Sequence, residues 1–501
     1  MSRLPILINS LVCCLGALAQ GGGFEKASEL RARMDRRVSE IRATANLTVP
    51  EGTPARFVSE KSGDDTSAGV SSNAAWRTIG RLNAEKLMPG TVVLFERGGT
   101  YRGSVSAQTG VTYGSYGIGE KPRIVASPAD GADPSKWHRT NASNIWAYAI
   151  GHCDVGTLVF DGGVQHAIKV ICRVDKMTGK RTDLSTGKAF DSYRDLDQDL
   201  HFWHDYYEKG TGCVYLYSKE NPGNRFHSIE FNVRRHGIFV DGPNVVIDNL
   251  CIKYAGYHGI GAGTCRGLHV TNCEFAWIGG SIQSENLGGR DYPTRFGNGV
   301  EIYGGCDDFV VSNCYFRQIY DAGATHQFNI PPSAGAERFD HRHVRIVDNV
   351  FSKCNYSIEY FLTAPDGNLS LMDDVVYERN LMFNAGRGFC EQRPDKHQAA
   401  HVKGRYHPER NRARDFVIRD NVFCLSRDML IETCAGLKDG DHLSLPRLEG
   451  NVFWGRIGDV LGDVSMKDEP RRPYDESSER FLNSFGNGNR CILLPGDEKR
   501  D

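Results

Sequence analysis

Past its first twenty residues the chain has no apolar run long enough to cross a bilayer, so no integral membrane segment is expected. None of its 15 cysteines stands in a CxxC pair, which removes the commonest zinc-site spacing. Neither sign of charge is in excess: 60 Lys+Arg face 62 Asp+Glu, so net charge names no partner. Proline is sparse, 19 against 56 glycines, as expected of many tight turns joining short strands. With 40% hydrophobic residues, a disordered chain is not expected either.

What is present begins with an N-terminal pattern of export. Arg3, the apolar run "LPILINSLVCCLGALA" and the small-x-small site Ala17-Leu18-Ala19 read as a signal peptide over 1–19. The expected location is therefore secreted, periplasmic or extracellular. Without Cys13 and Cys14 the cysteine count is odd, and the spacings favour packed thiols over disulfides. A monomer is expected.

Composition divides the remainder. Residues 24–50 are a charged, helical lead-in, and 55–134 alternate short strands around one amphipathic capping helix, "AAWRTIGRLNAEKL". Residues 135–235 are aromatic-rich and read as an irregular β elaboration, and 466–501 as a C-terminal tail. Between them, 236–465 repeat. The units are "VVIDNLCI", "LHVTNCEF", "FVVSNCYF", "VRIVDNVF", "YERNLMF", "FVIRDNVF" and "LEGNVF", with Gly450 at the Asn position of the last. Each carries Phe or Ile three residues after Asn or Asp, and each is joined by a turn to a second short strand such as "GVEIYG", "GATHQ", "SIEYF", "GFCEQ" or "LIETC". A repeat too small to bury its own apolar face must stack on its neighbours. Period-two strands without intervening helices predict an all-β chain coiled as a parallel β-helix, with Phe stacked inside and Asn or Asp in the turns.

The stretches "RFVSEKSGDDTSAGVSSNAAWRTIGRLN", "PGTVVLFERGGTYRG" and "GVTYGSYGIGEKPRI" resemble the opening region of secreted right-handed parallel β-helix proteins of the pectate-lyase-like and polygalacturonase-like kind. The resemblance covers roughly 55–460 and implies a right-handed, single-stranded solenoid with long loops on one face, acting on polysaccharide. The polygalacturonase pieces Asn-Thr-Asp, Gly-His-Gly and Arg-Ile-Lys are not found, and the paired Asp307-Asp308 lies in a turn without them.

Aligning the second strands on their first small residue puts Val300, Ala324, Ile358 and Phe389 in one column, expected to point inward. The next column, Glu301, Thr325, Glu359 and Cys390, is then expected to point outward, with Gly261 one coil before Glu301. Glu301 and Glu359, two coils apart, would stand about 9–10 Å from each other, at the upper end of the spacing of an inverting acid–base pair. Outward charges are also ordinary on solvated strands. Two features favour a site: the surplus segments 276–298, 328–343, 362–374, 393–415 and 434–447 all follow this column, as loops that wall a groove do, and one of them, 393–415, is strongly basic.

The loop "RPDKHQAAHVKGRYHPERNRARD" is basic and histidine-bearing, offering Arg393, Lys396, His401, Lys403 and Arg405 to an anionic glycan. "YDAGATHQ" adds Asp321 and His326 as catalytic candidates, although His326 falls in a nominally inward column and a buried, hydrogen-bonded ring is the alternative. Glu391 falls level with His326, Arg387 precedes that strand, and His258 lies near its other end. A nucleic-acid partner is not expected, because the loop has no stacking aromatic series. Three readings follow: a hydrolase of an acidic poly- or oligosaccharide, with Glu301, Glu359, Asp321 and His326 as catalytic candidates; a lyase of a uronic-acid glycan, in which the glutamates would hold Ca²⁺; and a non-catalytic glycan-binding coil. The first requires no cofactor or metal.

Overall fold

The computed structural model describes residues 26–151, 154–205, 212–285, 287–328, 340–362, 370–393, 398–406, 411–435, 445–464 and 471–494. The chain winds as a right-handed parallel β-helix whose coils contribute to three faces. The first face stacks strands such as Val245–Asp248, Cys265–Thr271, Cys306–Ser312, His341–Val347, Ser370–Glu378 and Asn411–Arg419. The second holds Cys251–Lys253, Glu274–Ile278, Leu381–Ala385 and Val422–Ser426. The third holds Val105–Gln108, Ile238–Asp241, Ile260–Ala262, Val300–Ile302, Ala400–Tyr406, Met429–Ala435 and Val460–Asp463. Two long strands, Tyr315–Phe328 and Val350–Leu362, turn the corner and serve the second and third faces in succession.

The repeat residues explain the corner between the first and second faces. Asn249, Asn272, Asn313, Asp348, Arg379, Asp420 and Gly450 all adopt the left-handed backbone, which Asn, Asp and Gly reach at least cost. The following residue points into the coil. Asn349, Asn380, Asn421, Asn451 and Asn489 form a ladder there, each of the first four donating its backbone N–H and its amide to the Oδ1 of the next. Cys273 and Cys314 occupy the earlier rungs, with Cys314 N donating to Asn349 Oδ1. Beyond the turn, Phe275, Phe316 and Phe351 stack with ring centroids 4.6 and 4.8 Å apart, and Phe423 stacks on Phe453 at 4.4 Å. Register corrects the repeat alignment by one residue in "YERNLMF": Met382, not Phe383, lies between Phe351 and Phe423. The turn position of that unit is consequently filled by Arg379.

The lead-in forms the helix Ala27–Arg42, whose Leu30, Val38 and Ile41 pack on the outside of the second face against Phe383, Val422, Trp454, Tyr315 and Val350. Ile79–Ala84 is a short helix whose Ile79 and Leu82 join the core of the opening coils. Strands within 137–233 leave the coil and pair antiparallel around Trp137, Tyr148, Phe160, Phe202, Leu216 and Phe231. This unit is pinned by a buried charge cluster. Lys169 Nζ lies 2.5 and 2.7 Å from the two Asp154 oxygens, and Asp154 Oδ2 also accepts the N–H of Ile282 on the coil side. Burial alone would raise the Asp154 carboxyl, but Lys169 and His204 hold it down at about 2. All twelve cysteines among the described residues are free and ten are buried, as the spacings predict. Among those residues no helix is long and apolar enough to cross a membrane.

Candidate functional site

The outer surface of the third face carries one continuous column in register: Ser106, Phe239, Gly261, Glu301, Thr325, Glu359, Lys403, Glu432 and Asp463. Glu301, Thr325 and Glu359 therefore stand in the order that the repeat alignment predicts, over an inward column of Val300, Ala324, Ile358 and Val402. The fourth members differ. Gly388–Gln392 is a short 3-10 helix outside the sheet, so Phe389 packs against Trp277 and Tyr320, and Cys390 leaves the column. The strand Ala400–Tyr406 takes that place and brings in Lys403. Its period-two sequence lies inside the stretch that charge content marks as a loop.

Both glutamates point away from the core yet are shielded from solvent, Glu301 at 4% and Glu359 at 1% exposure. One intervening strand separates them, a span of about 9–10 Å. Asn298 donates its amide to Glu301 Oε2, and its own Oδ1 accepts the Ala322 N–H at 2.7 Å, which fixes the amide orientation. His258 Nδ1 approaches Glu301 Oε2 at 3.5 Å. This is not an ion pair: Nδ1 accepts the Asn298 N–H at 3.0 Å, and burial holds the imidazole neutral, well below its ordinary range, with His236 adding to that and Asp321 opposing it. The ring proton accordingly sits on Nε2.

Gly261 makes room for an aromatic group beside Glu301. A Cβ there would stand 2.5 Å from His236 Cε1 and Nδ1, so the ring lies across the position a side chain would fill. His236 stacks on His258 at 5.3 Å and meets Tyr257 edge-on at 4.5 Å. Phe239, next in the column, is 43% exposed. On the other side of Glu301, Gln327 Nε2 donates to Glu359 Oε2 at 3.2 Å and reaches Thr325 Oγ1 at 3.3 Å. Lys403 Nζ bonds Tyr356 OH at 3.0 Å and lies over that ring. Burial opposes its charge, but Tyr356, Glu359 and Glu432 hold the ammonium above the ordinary lysine range. Burial raises the Glu432 carboxyl, as do Asp463 and Asp428, against the pull of Lys403.

The other expected residues scatter. His326 turns into the coil, is fully buried and bonds Tyr377 OH through Nε2 at 2.6 Å. Asp321 is taken up in a buried ion pair with Arg393, 2.7 Å from Nη1, and Arg393 also donates to the Tyr320 carbonyl; neither belongs to an open wall. His401 is buried between Ser357 Oγ and the Leu425 carbonyl. Arg405 is exposed and lies over Phe361, while Arg387 and the exposed Glu391 face each other at 3.9 Å beside the 3-10 helix. Lys396 lies outside the described residues. Thus the described part of the basic stretch does not form one wall: Arg414 pairs with Asp373 on the first face. Segment 276–298 also departs from expectation. It precedes the Glu301 strand and holds a hairpin of Ile282–Ser284 with Thr294–Arg295, whose buried Arg295 reaches the Gly280 and Gly156 carbonyls and Gln392.

Sequence reasoning missed Asn298, His236, Tyr257, Glu432 and Asp463. Glu432 was within reach, because "LIETC" extends the same alternation with Ile431 inward. Asn298, His236 and Tyr257 join the site through turns between strands, which no periodicity marks.

No protein-family profile and no curated protein matches the chain. Solved structures similar in overall course include a GH136 lacto-N-biosidase from Eubacterium ramulus, at 13% identity, 93% of this chain, 70% of that one and a TM-score of 0.38. XylC in complex with xylose follows at 11% identity, 80% and 69% coverage and a TM-score of 0.40. A family 28 exopolygalacturonase from Yersinia enterocolitica shows 12% identity, 89% and 79% coverage and a TM-score of 0.32. At these scores the likenesses carry no argument about site or substrate.

Proposed function

We propose that the chain is a glycoside hydrolase that cleaves glycosidic bonds across the outer column of the third face. The observation that carries this reading is the register itself: Glu301 and Glu359 stand on one face with only the small Thr325 between them. A gap of about 9–10 Å between carboxyl-bearing strands suits an acid and a base with a water and an anomeric carbon between them. Glu359, one strand from the Lys403 ammonium, is assigned the base role, activating water. Glu301, beside the Asn298 amide and the neutral His258 ring, is assigned the acid role, protonating the leaving oxygen. Phe239 and the ring of His236 offer an apolar platform for the sugar face one and two strands away.

The expectation of an acidic glycan loses its main support, since the described column carries four carboxylates against the single cation Lys403. A glycan of little charge suits this face better, with Arg405 and Lys403 as the place for an occasional anionic group. The lyase reading has less behind it. Lys403 is held charged and makes a poor proton acceptor, and two carboxylates about 9–10 Å apart cannot share a calcium ion that binds oxygen at about 2.3–2.6 Å.

The test is reducing-end release from a panel of neutral and acidic glycans, with absorbance of unsaturated uronides followed in parallel. Glu301→Gln and Glu359→Gln are expected to lose about 10²–10⁴-fold in rate while keeping the wild-type circular dichroism. Full activity in both variants would remove the assignment, and unsaturated product would establish a lyase instead.

A further inference from the structure

The interior of the coil holds a second cluster, independent of the outer column. Cys306 on the first face, His341 on the next strand of that face and His326 on the third face bring one sulfur and two ring nitrogens within 4.8 Å of one another. All three residues are buried. Cys306 Sγ lies 3.4 Å from His341 Nδ1, and the two rings meet edge-on at 4.8 Å. His326 Nε2 is held by Tyr377 OH, but His326 Nδ1 has no hydrogen-bond partner. Buried polar atoms are rarely left so, and one beside a buried thiol and a second imidazole points to a missing ligand.

We propose that Cys306, His326 and His341 form a buried three-coordinate site for a monovalent soft metal ion, Cu(I). Thiolate and imidazole are the ligand types that Cu(I) takes. Metal–sulfur and metal–nitrogen bonds of about 2.3 and 2.0–2.1 Å place the ligand atoms of a trigonal site about 3.5–3.8 Å apart. The Cys306–His341 contact of 3.4 Å is slightly shorter than that spacing, and all three ligand atoms lie within 4.8 Å of one another, so modest side-chain shifts reach it. Tyr377 plays the outer part that ligating histidines usually require, occupying His326 Nε2 and leaving Nδ1 as the ring's ligand atom.

Charge selects between metals. One thiolate and two neutral imidazoles around Cu(I) leave no net charge in a core lined here by Phe309, Phe328 and Tyr360, whereas Zn²⁺ would leave one positive charge. The carboxylates that act on the cluster, Asp340 on His341 and Asp307 on Cys306, are engaged by Arg342 and His343. Register adds a further soft atom at the rim: Met372 follows His341 on the next strand, buried. Loading displaces the Cys306 proton to solvent and forms the Cu–S bond with no change in oxidation state. Since the site is enclosed, the metal enters as the coil closes.

The experiment refolds the full chain without oxygen in the presence of equimolar Cu(I) and Zn(II). Excess copper is then removed with a chelator, and metal content and the copper X-ray absorption edge are measured. Wild type and the control Cys354→Ala are expected to keep one copper per chain with a three-coordinate edge feature, and Cys306→Ala at least tenfold less. Absence of copper in the refolded wild type, retention of zinc in its place, or equal copper in Cys306→Ala would each overturn the proposal.

Discussion

Gly261 shows how a residue without a side chain shapes the outer column. The strand it belongs to would otherwise present a side chain next to Glu301; instead the His236 imidazole crosses that position, 2.5 Å from where a Cβ would be. The same ring stacks on His258, which leans on Glu301 and on the Asn298 backbone. Gly261→Ala therefore pushes His236 off the column and disturbs His258 while leaving the strand pairing intact. The expected outcome is a loss of glycan turnover of about tenfold or more with little change in melting temperature, since a displacement of about 1 Å near the chemistry costs far more in rate than in stability. Equal losses in both would show that Gly261 serves only the fold. The sequence made Glu301, Glu359 and Gly261 legible through strand alternation alone. It left His236, Tyr257 and Asn298 hidden, because residues in turns are placed by tertiary contacts rather than by a period.

At the scale of the element, the asparagine ladder does for one corner what a disulfide does elsewhere. Asn421 donates to the Tyr377 and Arg419 carbonyls and to Asn451 Oδ1, and its own Oδ1 accepts both the N–H and the amide of Asn380. Asn421→Ala strands these buried groups, at about 1–3 kcal/mol for each donor or acceptor left unpaired. A clear drop in urea midpoint and melting temperature is expected. Asn421→Asp should also destabilise, because a carboxylate cannot donate to Tyr377 and Arg419. An unchanged midpoint in Asn421→Ala would show that the ladder adds nothing to the corner. The ladder and the turn residue beside it are what the repeats made visible in the sequence. "GFCEQ" shows the limit: it matches the strand pattern letter for letter, yet Gly386 and Gly388 adopt positive φ and the segment closes into a 3-10 helix. Lys403 suffered the opposite error, since charge density disguised a strand. The Cys306–His326–His341 cluster was invisible for a simpler reason: its three residues come from three strands of two successive coils and share no local spacing.

At the scale of the whole molecule, the coil supplies a straight ruler and the inserted antiparallel unit braces it. Asp154, Lys169 and His204 tie that unit to the hairpin that precedes the Glu301 strand, and Arg295 joins the hairpin to Gly156 and Gln392. The column is thereby held by two independent bodies of structure, and its carboxylate spacing follows from strand spacing alone. Two pairs in the column make opposite forecasts. Glu301 and Glu359, with a strand between them, leave room for water and invert the anomeric centre. Glu432 and Asp463, on adjoining strands, would stand close enough for a covalent intermediate and retention. The direct measurement is proton NMR of the first sugar released from a cleaved glycan, read before mutarotation. The account predicts the inverted anomer as first product; a retained anomer would contradict it and move the chemistry to Glu432 and Asp463.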